Sequence, residues 1–193
     1  LTAFVAEDKA AGRELWVTDG TATGTRLLKD VNPGKASSDP AELTVVGSTL
    51  YFAADNGVDG RELWKSDGTP AGTVLVKDIR PGKEMVYDWR VGKEVERNAW
   101  STPQGLLEFG GKVFFAADDG VHGFELWASD GTSQGTTLVK DIDPQSSSGE
   151  SGDMANSGVP AFVVGGRLMV RSFDGLWASD GTGVEPHLAD VGP

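Results

Sequence analysis

The chain has 193 residues, 38% of them hydrophobic, with 27 glycines, 9 prolines, no cysteine and a formal net charge of −12. That length supports one domain burying roughly 70% of the surface its unfolded form exposes, and the Gly- and Pro-rich balance excludes a helical bundle in favour of short strands and tight turns. The acidity excludes a nucleic-acid partner, which needs a basic face; the missing cysteine excludes disulfides and thiolate metal sites; and no apolar run approaches the ~18 residues of a membrane span.

One phrase recurs along the chain. In the first repeat, 1–31, Glu14-Leu15-Trp16-Val17-Thr18-Asp19-Gly20-Thr21 leads through Gly24-Thr25 to Leu27-Leu28-Lys29-Asp30-Val31. The second, 41–80, carries Glu62-Leu63-Trp64-Lys65-Ser66-Asp67-Gly68-Thr69, then Gly72-Thr73 and Leu75-Val76-Lys77-Asp78-Ile79. It is the most complete copy and predicts four strands, a to d, over 42–46, 49–54, 61–65 and 74–79. The b–c hairpin falls at Asp55-Asn56-Gly57-Val58-Asp59-Gly60, dense in residues that tolerate positive φ, and Arg80-Pro81-Gly82 ends strand d.

An insert at 83–102 follows, with Tyr87, Trp89, Arg90, Arg97 and Trp100, and a short helix broken at Gly92 is expected there. The third repeat, 103–142, holds strand b at 113–117, a hairpin at Asp118-Asp119-Gly120-Val121-His122-Gly123, and the phrase Glu125 to Thr132. A Ser- and Gly-rich stretch at 144–158 reads as a mobile loop. The fourth repeat, 160–191, keeps Gly175-Leu176-Trp177-Ala178-Ser179-Asp180-Gly181-Thr182 but has lost the Glu and the Gly-Thr.

Trp16, Trp64, Trp127 and Trp177 are 48, 63 and 50 residues apart, so the middle interval is one repeat plus 15 residues. A period near 48 residues is that of a four-stranded propeller blade. The expected fold is all-β, a propeller-like array of four antiparallel blades within one domain, 1–193. The first blade has no strand a, which implies part of a larger chain, or a strand donated by a partner through self-association at the incomplete blade.

The phrase Glu-Leu-Trp-x-x-Asp-Gly-Thr-x-x-Gly-Thr resembles the bacterial ELWxxDGTxxGT repeat, also described as hyalin-like. Three copies match it whole and a fourth matches half. The resemblance implies a secreted or surface-attached protein and transfers no catalytic residue.

Within a blade, the a–b and c–d turns emerge at one end, and the b–c hairpins and inter-blade links at the other. Asp19, Asp67, Asp130 and Asp180 are expected to accept backbone bonds inside their own turns, with the next Gly left-handed. The Trp of each phrase is expected to fill the wedge between blades. Candidate ligand-binding residues are Tyr87, Trp89, Arg90, Arg97 and Trp100, whose rings and guanidinium forks suit a glycan or a protein. Asp55, Asn56, Asp59, Asp118 and Asp119 gather oxygens that suit Ca²⁺, although not in an EF-hand pattern; ordinary turn bonding uses the same residues. His122 and His187 fall on opposite faces, which removes a two-histidine metal centre. The functional expectation is extracellular recognition or adhesion through the face that bears the insert. Its alternatives are a hydrolase or lyase using Asp118, Asp119 and His122 with Arg90 on an anionic substrate, and an assembly module completed by a partner's strand.

Overall fold

The structure, a computed structural model, describes residues 1–142, 161–172, 175–180 and 184–185. Among them are 17 strands and no helix, arranged as successive antiparallel sheets in chain order. The first sheet has three strands, β1 (Thr2–Asp8), β2 (Gly12–Thr18) and β3 (Arg26–Lys29). The second has four: β4 (Ala41–Val46), β5 (Thr49–Asp55), β6 (Arg61–Ser66) and β7 (Val74–Lys77). A separate two-stranded hairpin, β8 (Lys83–Asp88) and β9 (Lys93–Asn98), stands between the second and third sheets in the chain. The third sheet is β10 (Gln104–Phe109), β11 (Lys112–Asp118), β12 (Phe124–Ser129) and β13 (Thr137–Lys140). The fourth is β14 (Ala161–Val164), β15 (Arg167–Ser172), β16 (Gly175–Ser179) and β17 (Val184–Glu185). This is the expected propeller-like array, blade by blade. The 144–158 loop and His187 lie outside the described residues.

The wedges between sheets hold the core, and each is built around one tryptophan. Trp64 packs with Phe52 and Ala54 of its own sheet against Leu15, Val17, Leu28 and Val31 of the first. Trp127 enters a cluster with Leu63, Val76 and Ile79 of the second, and Trp177 one with Leu126, Ala128 and Ile142 of the third. Each ring reaches back to the preceding sheet, as a large planar side chain must to close a wedge between twisted layers. Trp16 meets no such sheet among the described residues and is only half-buried.

The Asp-Gly-Thr phrase is a self-contained turn. Asp67 Oδ1 accepts both the backbone N–H and the hydroxyl of Thr69, at 2.8 and 2.7 Å, and Thr69 Oγ1 then accepts Gly72 N–H at 2.9 Å. Gly68 sits at φ +88°, a left-handed position that a side chain would strain. Gly72 is required for a different reason: a Cβ there would lie 2.1 Å from Asp67 Oδ1. The turns at Asp19 and Asp130 repeat the pattern, and their bonds hold those carboxyls below the usual range. Gly72→Ala is therefore expected to eject the Asp67 carboxylate and break the turn, lowering the unfolding free energy by about 2–3 kcal/mol. A denaturant midpoint equal to the parent's would contradict this.

Lysines latch neighbouring sheets together at this end. Lys29 Nζ donates to Thr73 O at 2.7 Å, and Lys77 Nζ to Thr136 O at 2.8 Å, so the last strand of each sheet holds the turn of the next.

A second staple works at the opposite end. Glu14, Glu62 and Glu125, the first residue of each full phrase, are wholly buried. Glu62 Oε1 accepts Ser101 N–H at 2.9 Å, and Oε2 accepts Ile79 N–H at 3.0 Å and the Ser101 hydroxyl. Glu14 does the same for Val31, Asn32 and Ser38. One carboxyl thus ties the exit of its own sheet to the link that enters the next.

Candidate functional site

The insert departs from expectation. Its predicted helix is absent; residues 83–98 form the β8–β9 hairpin, with Gly92 at φ +69° in the four-residue turn. The alternation in Lys83-Glu84-Met85-Val86-Tyr87-Asp88 has the period of a strand, and Val86 pairs with Val95 across the hairpin. Lys83, Met85 and Tyr87 are exposed, whereas Glu84, Val86 and Asp88 are half-buried. Tyr87 pairs with Glu94 and Met85 with Glu96, so the exposed face carries an apolar row beside Glu94 and the Lys83–Glu96 ion pair, 2.6 Å long.

The base of the hairpin is fixed to two blades. Ala99 N–H donates to Gly82 O at 3.0 Å, closing the base. Asn98 Nδ2 donates to Gly57 O at 3.0 Å in the b–c hairpin of the second sheet. Trp100 lies against Gly60 of that hairpin, where a Cβ would come 2.4 Å from Trp100 Cδ1. Arg97 covers the Trp100 ring at 4.4 Å and bonds Glu84 Oε1 at 2.8 and 2.9 Å. Arg80 pairs with Glu84 at 2.8 Å and with the buried Asp118 of the third sheet. These contacts place the insert on the b–c hairpin end, the face expected from the blade geometry.

The five candidate ligand residues therefore separate. Arg97 and Trp100 are struts at the base. Tyr87, Trp89 and Arg90 are at or near the tip, with Trp89 87% and Tyr87 49% exposed, their rings edge-to-face at 4.6 Å between centroids. Arg90 is held by Asp88 through Nε at 3.1 Å and Nη2 at 3.0 Å. That bond lowers the Asp88 pKa and raises that of Arg90. Sequence reading passed over Arg80 and Glu84, which carry the bracing. Arg80 occupies the position of Asn32 in the first repeat, and the change of residue just before the insert was the available signal.

The candidate Ca²⁺ ligands are engaged in turns. Asp55 Oδ1 accepts Gly57 N–H at 2.7 Å; Asn56 Oδ1 accepts the N–H groups of Val58 and Asp59 at 2.9 and 2.8 Å; and Asn56 Nδ2 donates to Asp59 Oδ2 at 2.8 Å. In the third sheet, Asp118 Oδ1 accepts Gly120 N–H at 2.7 Å, and Asp119 Oδ1 accepts the N–H groups of Val121 and His122 at 2.9 Å. His122 Nδ1 meets Asp119 Oδ2 at 2.7 Å, which is the Asn56–Asp59 bond with donor and acceptor exchanged. That bond raises the His122 pKa; burial opposes the fall in that of Asp119, which its bonds from His122 bring about. Among the described residues, no three His, Asp or Glu side chains gather as a metal site would require.

No family model matches the chain, and no curated protein matches it. A comparison with solved structures finds similarity to an α-L-arabinofuranosidase (CtGH43) from Clostridium thermocellum ATCC 27405, at 13% identity, covering 88% of this chain and 81% of that one, with a TM-score of 0.23. A likeness of that degree carries neither geometry nor activity from one chain to the other.

Proposed function

We propose that the chain is a recognition module of a secreted or surface-attached protein of the ELWxxDGTxxGT type, whose blades hold the β8–β9 hairpin out as a binding arm. One observation carries this reading: Trp89 is 87% exposed at the tip of a hairpin whose base is fixed by ion pairs and ring contacts to two blades. An exposed large aromatic on a braced element loses little conformational freedom on binding, which is how anchor residues act. The ligand class it favours is a protein surface with apolar and basic groups. Met85, Tyr87 and Trp89 form the apolar side, and Glu94 lies beside it as the acidic group, Glu96 being paired with Lys83 at 2.6 Å. For a glycan, the Tyr87 and Trp89 rings, inclined at 70°, offer one stacking face rather than a broad platform.

The hydrolase or lyase reading draws no support from the same geometry. Asp118 is paired with Arg80, His122 with Asp119, and Arg90 with Asp88. Among the described residues no helix is long and apolar enough to cross a membrane.

Deleting residues 84–98 tests the arm directly. It leaves Pro81-Gly82-Lys83-Ala99, copying Pro33-Gly34-Lys35-Ala36 of the first repeat and restoring the 48-residue spacing. The deleted chain is expected to keep its β-type circular dichroism and to lose those ligands on protein and glycan arrays that Trp89→Ala also fails to capture. Capture that survives the deletion would place the binding surface elsewhere, and glycan capture alone would replace the protein ligand.

A further inference from the structure

The β8–β9 hairpin has two free edges, and they are not alike. Among the described residues its strands pair only with each other. Ala99 N–H donates to Gly82 O at 3.0 Å, which makes Gly82 and Ala99 a bonded pair. Alternation along the register then turns the backbone groups of Glu84, Val86 and Asp88 toward β9, and those of Lys83, Met85 and Tyr87 outward. On β9 the outward groups belong to Glu94, Glu96 and Asn98. An unpaired edge is a template for another strand, and charged side chains along it are the usual guard. The β9 edge has that guard. The β8 edge offers Met85 and Tyr87, both exposed, with one lysine at its base.

Pairing with a second copy separates the edges further. Two copies of a strand, antiparallel about a two-fold axis, bond edge to edge only where outward residues stand against outward residues. On β9 the two such registers with the greatest overlap set Glu94 against Glu96, or Glu96 against Glu96, like charges directly opposite. On β8 a register centred on Val86 sets Glu84 against Asp88, and one centred on Met85 brings the tip residue Arg90 level with Arg80 and Val91 level with the buried Ile79. The base of β8 is also occupied, since Arg80 bonds Asp118 and lies against Gly120 of the third sheet's hairpin. The register centred on Tyr87 avoids all of these. It sets Tyr87 against Tyr87, Met85 level with Trp89 and Glu84 level with Arg90, apolar with apolar and acid with base.

We propose that the arm pairs with a second copy of this chain, β8 to β8, antiparallel about a two-fold axis at Tyr87. The product is a four-stranded sheet with the two blade arrays at its opposite ends. A lone two-stranded ribbon is marginal, and four strands with an apolar face are not. That face carries Met85, Tyr87 and Trp89 of both copies as one strip. The pairing goes beyond the recognition reading and does not need it, because it uses the backbone edge whereas capture uses the side-chain face.

Solution mass tests the pairing. The chain is expected to pass from its monomer mass of 20.3 kDa to twice that value between about 1 and 200 μM, as suits a small interface. Tyr87→Pro removes the outward N–H at the axis, spares every bond inside the hairpin, and is expected to stay monomeric throughout. Tyr87→Ala keeps that N–H and is expected to retain a dimer weakened by about tenfold at most. Glu94→Pro alters the β9 edge instead and is expected to dimerise within about twofold of the parent. The chain has no cysteine, so single cysteines report the register. Tyr87→Cys is expected to cross-link across the axis at least about tenfold faster than Met85→Cys, which lies about 13 Å from its copy. A monomer at about 200 μM, a dimer that survives Tyr87→Pro, a Tyr87→Ala variant as monomeric as Tyr87→Pro, or faster cross-linking through Met85→Cys would overturn the proposal. None of these readouts involves ligand capture, so a dimer that captures nothing, or a monomer that captures, separates this proposal from the recognition reading.

Discussion

Trp89→Ala is expected to weaken ligand capture by between about 30-fold and 1,000-fold, the range of an interface anchor truncated to its Cβ, and to leave stability within about 0.5 kcal/mol of the parent. The asymmetry follows from where the ring lies. Among the described residues its one ring contact is Tyr87, itself half-exposed on the same arm, so folding gains little from it. Trp100→Ala is the necessary contrast. That ring fills the space above Gly60 and supports Arg97, so its loss is expected to lower stability by about 1–2 kcal/mol and to loosen the arm at its base. A capture assay and a denaturant midpoint on both variants separate an anchor from a strut. Unchanged capture by Trp89→Ala would remove the hairpin tip from the binding surface.

What the sequence allowed and what it hid divide along physical lines. Tryptophans at intervals of 48, 63 and 50 residues and a turn built from Asp, Gly and Thr are local signals, so the sheets, their order and their turns were readable from the spacing. The hairpin was misjudged because eight charged residues between 83 and 98 obscured a period-two pattern in Met85, Tyr87 and the facing Val86 and Val95. Charge density is neutral between helix and strand, and only the alternation discriminates. The bracing was hidden for another reason. Arg80, Glu84, Asp118 and Trp100 come from three segments up to 38 residues apart, and nothing local in any of them announces the others. Strand d was expected through Ile79 but ends at Lys77, since the Ile79 N–H turns inward to Glu62 rather than to a neighbouring strand. That buried glutamate was itself passed over, because a charged residue in a strand is ordinarily solvated. Its recurrence at the same place in three copies, beside Leu and Trp that point into the core, was the sign that it is structural.

Glu62 also yields the largest expected effect on stability. Burial pushes its pKa up to about 7, although Ser101 and Ile79 donate to the carboxylate and oppose the shift; Glu14 is displaced in the same direction by the same cause. Between pH 4.5 and 7 the folded chain therefore binds a proton that the unfolded chain has released, and stability must fall as pH rises through that window. The contribution is fully present below the unfolded value and is lost above the folded one, on the order of 3 kcal/mol for Glu62. When protonated, the acid keeps a carbonyl oxygen as acceptor, and its O–H can donate to the Ser101 hydroxyl, which reverses its role. Glu62→Gln removes the titration but sets an amide NH2, which accepts nothing, against the Ile79 or Ser101 N–H; it is expected to fall about 1–3 kcal/mol below the parent at pH 5 and to flatten the dependence between pH 5 and pH 8. Glu62→Ala leaves the Ile79 and Ser101 N–H groups without an acceptor and opens a void, lowering stability by about 3–4 kcal/mol at pH 5 and by much less at pH 8, where the parent has itself lost the Glu62 contribution. Denaturant unfolding of the three proteins at both pH values decides the matter: a parent whose stability does not fall from pH 5 to pH 8 would mean that the donors outweigh burial and that the staple works as an ionised carboxylate.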